Sequence, residues 1–300
     1  MEYSKLSIVI SSYINHLKEV ERFLISNIKY NIDYDKCKIF IVVNKDDYIL
    51  FQNMIIPYNN LNLIKILLFD NLIKKYFNMD EYTFCNIYKH PVVQSVKKLC
   101  ALLEVDSDDI LLLDSEGYFI RECSLFEQLN IYNKNKYVFI SQKSDNVIQT
   151  TVFNDIKTML NLNYDFKWIG IIITTQWFFK KNIIYDLYNY IKNNNISIFD
   201  SLLFIESLIY NYIYINNDKY NYSFIDLTNT LYNIENHEHF WMVLNIDNEK
   251  YHMAFKDTIV KYKFFTYYVQ NTWNTNNNYE LIKQYDNIKL LVSTPELFII

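Results

Sequence analysis

Glycine is nearly missing from this chain: two residues in 300, alongside three prolines. That scarcity excludes the Walker A loop and the Gly-rich dinucleotide loop, which need several glycines so that backbone can approach phosphate closely. Any nucleotide bound here is held by other means. Cysteine is sparse too: the four, Cys37, Cys85, Cys100 and Cys123, are irregularly spaced and form no Cys-x-x-Cys pair. Neither a zinc knuckle nor a disulfide framework is indicated, which fits a reducing compartment. Cys37, Cys100 and Cys123 lie beside apolar stretches and read as small buried hydrophobes. A net charge of −5 with no long basic run argues against wrapping a nucleic-acid backbone. No window reaches the roughly 18 uninterrupted apolar residues of a spanning helix. Residues 1–10 enter a strand directly rather than forming a charged leader with an apolar h-region. The expectation is a soluble, cytoplasmic chain with no transmembrane segment.

What the chain does contain is core-forming material. It is 51% hydrophobic and 21% charged, with 28 tyrosines and 21 phenylalanines, enough for a large core. The excess of Asn, Ile, Tyr and Lys reads as AT-rich coding. With no internal repeat and no linker-like shift in composition, one domain over residues 1–300 is expected.

Apolar, β-rich runs at residues 6–10, 39–43 and 64–69 alternate with helical spacing over 17–30 and 48–54. A polar cluster follows each strand. This β-α-β-α-β order implies a parallel sheet with right-handed crossovers. Residues 70–90 show no clear period. A helix over 92–103 carries Gln94, Lys97 and Lys98, and only one of the adjacent lysines is expected to turn inward. Residues 110–113, Ile-Leu-Leu-Leu, form a strand buried on both faces. A helix over 125–131, a strand over 137–141, a loop over 142–150 and a strand over 171–178 follow. Helices are expected over 180–193 and 198–212, then short strands and aromatic helices to the end.

The candidate site is Asp114-Ser115-Glu116-Gly117, directly after the buried run. In open α/β sheets, ligands bind beyond the carboxyl ends of the strands. Residues i and i+2 of an extended segment share a face, so Asp114 and Glu116 can meet one ligand while Ser115 turns aside. Two hard oxygen donors suit Mg²⁺ or Mn²⁺. Asp106-Ser-Asp-Asp109 looks similar but precedes the strand. It belongs to the amino edge and reads as a turn.

Asp114-Ser-Glu116 resembles the Asp-x-Asp motif of GT-A glycosyltransferases. Gln94-Ser-Val-Lys-Lys-Leu99, followed by the strand and Asp-Ser-Glu-x-x-Phe-Ile-Arg121, is similar to a little-characterised GT-A-like group. In that group a Gln/Lys-Leu helix precedes an LDSD sequence. Asn44-Lys-Asp-Asp-Tyr-Ile-Leu-Phe51 and Phe204-Ile-Glu-Ser-Leu-Ile-Tyr210 echo two further segments of it, in the right order. The resemblance implies an α/β, GT-A-like (Rossmann-like) fold: a mostly parallel central sheet flanked by helices, with a helical or mixed C-terminal part. Residues 1–125 would bind the nucleotide-sugar and 126–300 would form the acceptor side. It further implies transfer of a sugar from a UDP- or GDP-sugar to a glycan, lipid or protein hydroxyl, with Mn²⁺ or Mg²⁺ neutralising the leaving diphosphate.

On that basis Ser11, Ser12, Tyr13 and Asp46 (or Asp47) are placed at the base and ribose. Lys98 is placed near the diphosphate, Asp114 near the ribose and a water of the metal, and Ser115 among the cofactor-binding residues; the metal is expected on Asp114 and Glu116, with Glu116 the more direct ligand. The second acid is Glu where the motif has Asp, which moves the carboxylate outward by about one carbon–carbon bond. A late histidine often completes such a metal site. His239 is the candidate, with His237 and His252 as alternatives, although a histidine beside Phe240 and Trp241 is more often structural. An inverting enzyme also needs a carboxylate base, for which Glu206 and Asp200 are the candidates. Trp241 and Trp273 are candidate walls of the acceptor cleft. Two other functions fit the same acids: a metal-dependent nucleotidyl- or phosphotransferase, and a non-catalytic binding protein on the same fold.

Overall fold

The computed structural model describes residues 6–115, 117–119, 122, 124–141, 147–163, 168–169, 177–199, 204–226 and 268–270. The first half contains β1 (Leu6–Ser11), α1 (Leu17–Tyr30), β2 (Lys38–Val43), α2 (Tyr48–Ile55), β3 (Ile64–Leu68), α3 (Phe69–Phe77), α4 (Glu81–Ile87), α5 (His90–Glu104) and β4 (Asp109–Asp114). It continues with β5 (Gly117–Phe119), α6 (Leu125–Asn135), β6 (Tyr137–Ser141), α7 (Val147–Met159), β7 (Trp168–Ile169), β8 (Trp177–Lys180) and α8 (Lys181–Asn193). Last come α9 (Ile205–Ile215), α10 (Asn217–Tyr220), β9 (Ser223–Asp226) and β10 (Tyr268–Gln270).

The main sheet runs β3-β2-β1-β4-β8. Its first four strands are parallel, and β8 pairs antiparallel with β4. Alternation along each strand sorts the core onto two faces. Leu6, Ile8, Ile10, Ile39, Ile41, Leu111 and Leu113 pack on one side with Val20, Phe23 and Leu24 of α1 and Phe51 of α2. Val9, Phe40, Val42, Ile110 and Leu112 pack on the other, against α3, α5, α8 and α9. The chain lays down β1, β2 and β3 outward in one direction, then crosses to the opposite face and returns to place β4 against β1. Right-handed crossovers require that change of face.

Several local expectations shift. Residues 70–90 hold two helices, and α3 begins at Phe69, which the strand over 64–69 had included. Phe69 is buried against Phe84 of α4, ring centroids 5.9 Å apart, so packing between the two helices draws it out of the strand. Residues 147–159, expected partly as loop, form α7. Its Val152, Phe153 and Ile156, with Leu160 just beyond, are buried at helical spacing. The expected helix over 198–212 begins only at Ile205. Residues 205–213 are buried all round, so no apolar stripe marks the helix ends. The strand over 171–178 is described only from Trp177, as β8.

Among the described cysteines, Cys37 and Cys100 are buried, Cys85 is half-buried, and none forms a disulfide. No described helix is long and apolar enough to cross a membrane.

Candidate functional site at the carboxyl edge of the sheet

The order 3-2-1-4 reverses direction between β1 and β4. At such a switch point the connections leave on opposite faces and open a crevice at the carboxyl ends. The two strands end there in register, with Ser11 paired to Asp114. By alternation both lie on the face covered by α5. The helix answers with polar side chains on a surface that is otherwise apolar. The Ser11 hydroxyl donates to Gln94 Oε1 at 3.1 Å. Lys98 Nζ donates to Asp114 Oδ1 at 2.7 Å and to Glu206 Oε1 of α9 at 2.5 Å.

Both adjacent lysines point inward, contrary to the expectation that only one would. Neighbouring positions on a helix diverge by about 100°, and α5 packs beneath β1 and β2. The long stems therefore pass to opposite sides of β1. Lys98 reaches the end of β4, and Lys97 reaches the end of β2. The Lys97 amine, in a side chain only 2% exposed, donates to the Ser12 carbonyl at 3.0 Å and to Asn44 Oδ1.

The two ammonium groups sit in opposite electrostatic settings. Burial works against the charge on Lys98, but Asp114 and Glu206 outweigh it and hold its pKa above the usual lysine value. Lys97 contacts no carboxylate among the described residues. Burial lowers its pKa to about 8, against partial support from Glu81, Cys85 and Asp47.

The turns after β1 and β2 are braced by carboxylates. Asp47 Oδ2 accepts from the Ile14 amide at 3.1 Å. Both Glu81 carboxylate oxygens accept from the Lys45 amide at 3.2 Å, and Asp70 accepts from the Glu81 amide at 3.3 Å. Asp47 is therefore built into the edge, while Asp46 is exposed. Burial raises the Glu81 pKa above the usual carboxylate range.

Two histidines join the site that the sequence does not single out. His16 Nδ1 lies 2.6 Å from Ser115 Oγ, and Ser115 is buried. Tyr13 is half-buried between His16 and His90, with ring centroids at 4.3 and 5.6 Å. Burial and the neighbouring His90 lower the His16 pKa, with Asp114 partly opposing them. Burial and Lys97 lower that of His90. Position just after a strand, for His16, and at the start of a helix, for His90, was the only available signal. Ser12 Oγ is buried with no hydrogen-bond partner among the described residues.

The remaining candidates divide plainly. Glu206 is 6% exposed in the first turn of α9. Glu116, Asp200, His237, His239, His252, Trp241 and Trp273 lie outside the described residues. The Asp106–Asp109 cluster is at the amino edge: Asp106 pairs with Lys38 at 2.9 Å, and Asp109 opens β4 and pairs with Lys180 of β8.

Among the described residues no three His, Cys, Asp or Glu side chains are grouped to cage a metal. Asp114 fits a lighter mode of holding one. Mg²⁺-type ions keep several waters and use one or two carboxylates together with substrate phosphates. Asp114 is 19% exposed, and the two carboxylates on Lys98 exceed its single positive charge.

The sheet order, the two helical layers and the switch-point site define a Rossmann-like α/β fold of the GT-A type. No model of a known protein family and no curated protein sequence matches the chain. Several of the solved structures it resembles are glycosyltransferases, and another is 4-diphosphocytidyl-2C-methyl-D-erythritol synthase from Anaerococcus prevotii, with a TM-score of 0.39 at 17% identity, covering 75% of this chain and 88% of that one. The bifunctional glycosyltransferase WbbM superposes with a TM-score of 0.50 at 13% identity, over 94% of this chain. The chain spans about half of that protein, 52% of its length. Mouse xyloside xylosyltransferase 1 gives a TM-score of 0.46 at 9% identity, covering 90% of this chain and 99% of that one. TarS of S. aureus (residues 1–349, in complex with UDP-GlcNAc) gives 0.39 at 14% identity, covering 95% and 72%.

Proposed function

We propose that this chain transfers a sugar from a nucleoside-diphosphate sugar, a UDP- or GDP-sugar, to a hydroxyl of a glycan, lipid or protein acceptor. The observation that carries the proposal is the pairing of Ser11 with Asp114 at the switch point, on a fold shared with a glycosyltransferase. Tyr13, half-buried beside His16 and His90, would stack on the base. Ser11 and the hydroxyl of Ser12, which has no partner among the described residues, are polar groups for the ribose or an ordered water, since buried polar atoms without partners are uncommon. Asp114, with Glu116 two positions on, would hold Mn²⁺ or Mg²⁺. That ion supplies positive charge for the departing nucleoside diphosphate. The chain's own part is to fix the donor's position and to place positive charge nearby in a partly desolvated edge, where it acts more strongly than in water.

A thermal-shift series with UDP-, GDP- and other nucleotide-sugars, with and without Mn²⁺, tests this. A ligand at about a hundred times its Kd stabilises by about 2.7 kcal/mol, on the order of 5 °C in a protein of this size. The expected result is such a rise with one donor class, lost in Asp114→Ala together with donor turnover. The proposal fails if no nucleotide-sugar moves the melting temperature, or if Asp114→Ala turns over donor at the wild-type rate. A response to nucleoside triphosphate alone would favour a nucleotidyltransferase.

A further inference from the structure

Asp114 and Glu206 come from different elements, the end of β4 and the first turn of α9, and aim at one centre. Two convergent carboxylates are what a divalent cation needs. Here the centre holds an ammonium: Lys98 Nζ, 2.7 Å from one carboxylate and 2.5 Å from the other. The three side chains are 12%, 19% and 8% exposed. The Trp177 ring of β8 lies 5.5 Å from the ammonium and helps to cover it. A lysine ammonium is a compact point charge with three donors, so it satisfies both carboxylates and binds α5, β4 and α9 together.

We propose that Lys98 is a positioning residue, an internal cation standing where a divalent ion would otherwise bridge Asp114 and Glu206. It turns one Asp114 oxygen inward and keeps metal out of the interior, so an ion can approach Asp114 only from the outer, donor side. Glu206 is then the counter-ion of Lys98 rather than a metal ligand. The consequence for sugar transfer rests on the function proposed above, whereas the exchange of ammonium for metal does not.

The test uses Mn²⁺ alone, without nucleotide, titrated into the full chain and followed by the loss of the free-ion paramagnetic resonance signal. Lys98→Met keeps the length of the stem and removes the charge. It is expected to bind one Mn²⁺ at least about tenfold tighter than wild type, a gain set by two unneutralised carboxylates. Lys98→Arg keeps the charge and shows no gain, and Glu206→Gln added to Lys98→Met abolishes it. Lys98→Met is also expected to melt lower than wild type in chelator and to recover on adding Mn²⁺, which a merely structural lysine would not produce. A folded Lys98→Met with unchanged Mn²⁺ affinity, or a gain that survives Glu206→Gln, overturns the proposal. If Lys98→Met does not fold, wild type and Glu206→Gln decide. Equal Mn²⁺ binding, including none in either, supports the internal cation, and binding lost in Glu206→Gln overturns it. No sugar or nucleotide enters these measurements, so their failure and the failure of the transferase reading are separable.

Discussion

Lys97 carries an ammonium buried against neutral oxygens, and its titration has a measurable consequence. Its ammonium is 2% exposed, holds two neutral oxygens, and has its pKa moved from 10.5 to about 8 by burial. At 1.36 kcal/mol per pH unit, holding the charged form there costs about 3 kcal/mol. The unfolded chain keeps this proton up to its ordinary value, and the folded chain releases it near 8. Between those values the unfolded state binds more protons, so raising the pH favours the folded state. Lys97→Met removes the titration while keeping most of the stem. Urea unfolding followed by tryptophan fluorescence, run on both proteins at about pH 7 and about pH 9.5, reads the difference. Wild type should gain about 2 kcal/mol on the variant over that interval, and other alkaline effects cancel in the subtraction. A wild-type-minus-variant difference that stays constant with pH, or falls, would refute the assignment of Lys97 as a buried charge without an anion.

Further outcomes follow from the same edge and its opposite. Asp109→Ala breaks a part-buried pair with Lys180 at the amino edge and should cost about 2 kcal/mol in urea unfolding while leaving the nucleotide-sugar melting shift intact. Asp114→Ala should lose the shift and also some stability, because it strips Lys98 of one of its two carboxylates. Asp47→Ala frees the Ile14 amide at an exposed turn, so its stability cost should stay near 1 kcal/mol, yet donor affinity should weaken severalfold because the turn after β1 loses its brace. His90, with its pKa held below 6.5 by burial and Lys97, contributes stability that is complete above about pH 6.5 and is lost as the pH falls from there through its folded value. His90→Gln should flatten that part of the pH–stability curve, and a curve of unchanged slope would count against partial desolvation and Lys97 acting on this exposed histidine.

The strands were legible wherever a short apolar run stopped at a polar cluster: β1, β2, β4 and β6 stand within a residue of expectation. Their order was legible only in part. Alternation implied a parallel sheet, but nothing local tells β4 to cross back and settle beside β1, because that is decided by which face the intervening helices bury. The edge carboxylate Asp114 was readable from position. The partners of Lys97 and Lys98 were not, since the choice of side depends on the strand that α5 underlies. α7 was hidden by its threonines and the polar run just before it, which suggest loop even though Val152, Phe153 and Ile156 keep helical spacing. His16 and His90, 74 positions apart by their numbers in the sequence, become neighbours of Tyr13 only once α5 is seated under the sheet.

The braces at the carboxyl edge run in one direction along the chain. The turn after β1 is held by Asp47 from the turn after β2. That second turn is held by Glu81 of α4, and Glu81 by Asp70 of α3. Each support arrives later in the chain than what it supports, apart from the last. In a sequence almost without glycine, the edge takes its shape from this relay rather than from permissive backbone. A fragment ending before residue 81 would contain β1, β2 and β3 and still lack the support that sets the turn after β2. The edge is therefore not portable as a βαβ piece. Grafting it onto another scaffold, or exchanging α4 for an unrelated connection, would change how Ser11, Ser12 and Tyr13 are presented without altering any of them.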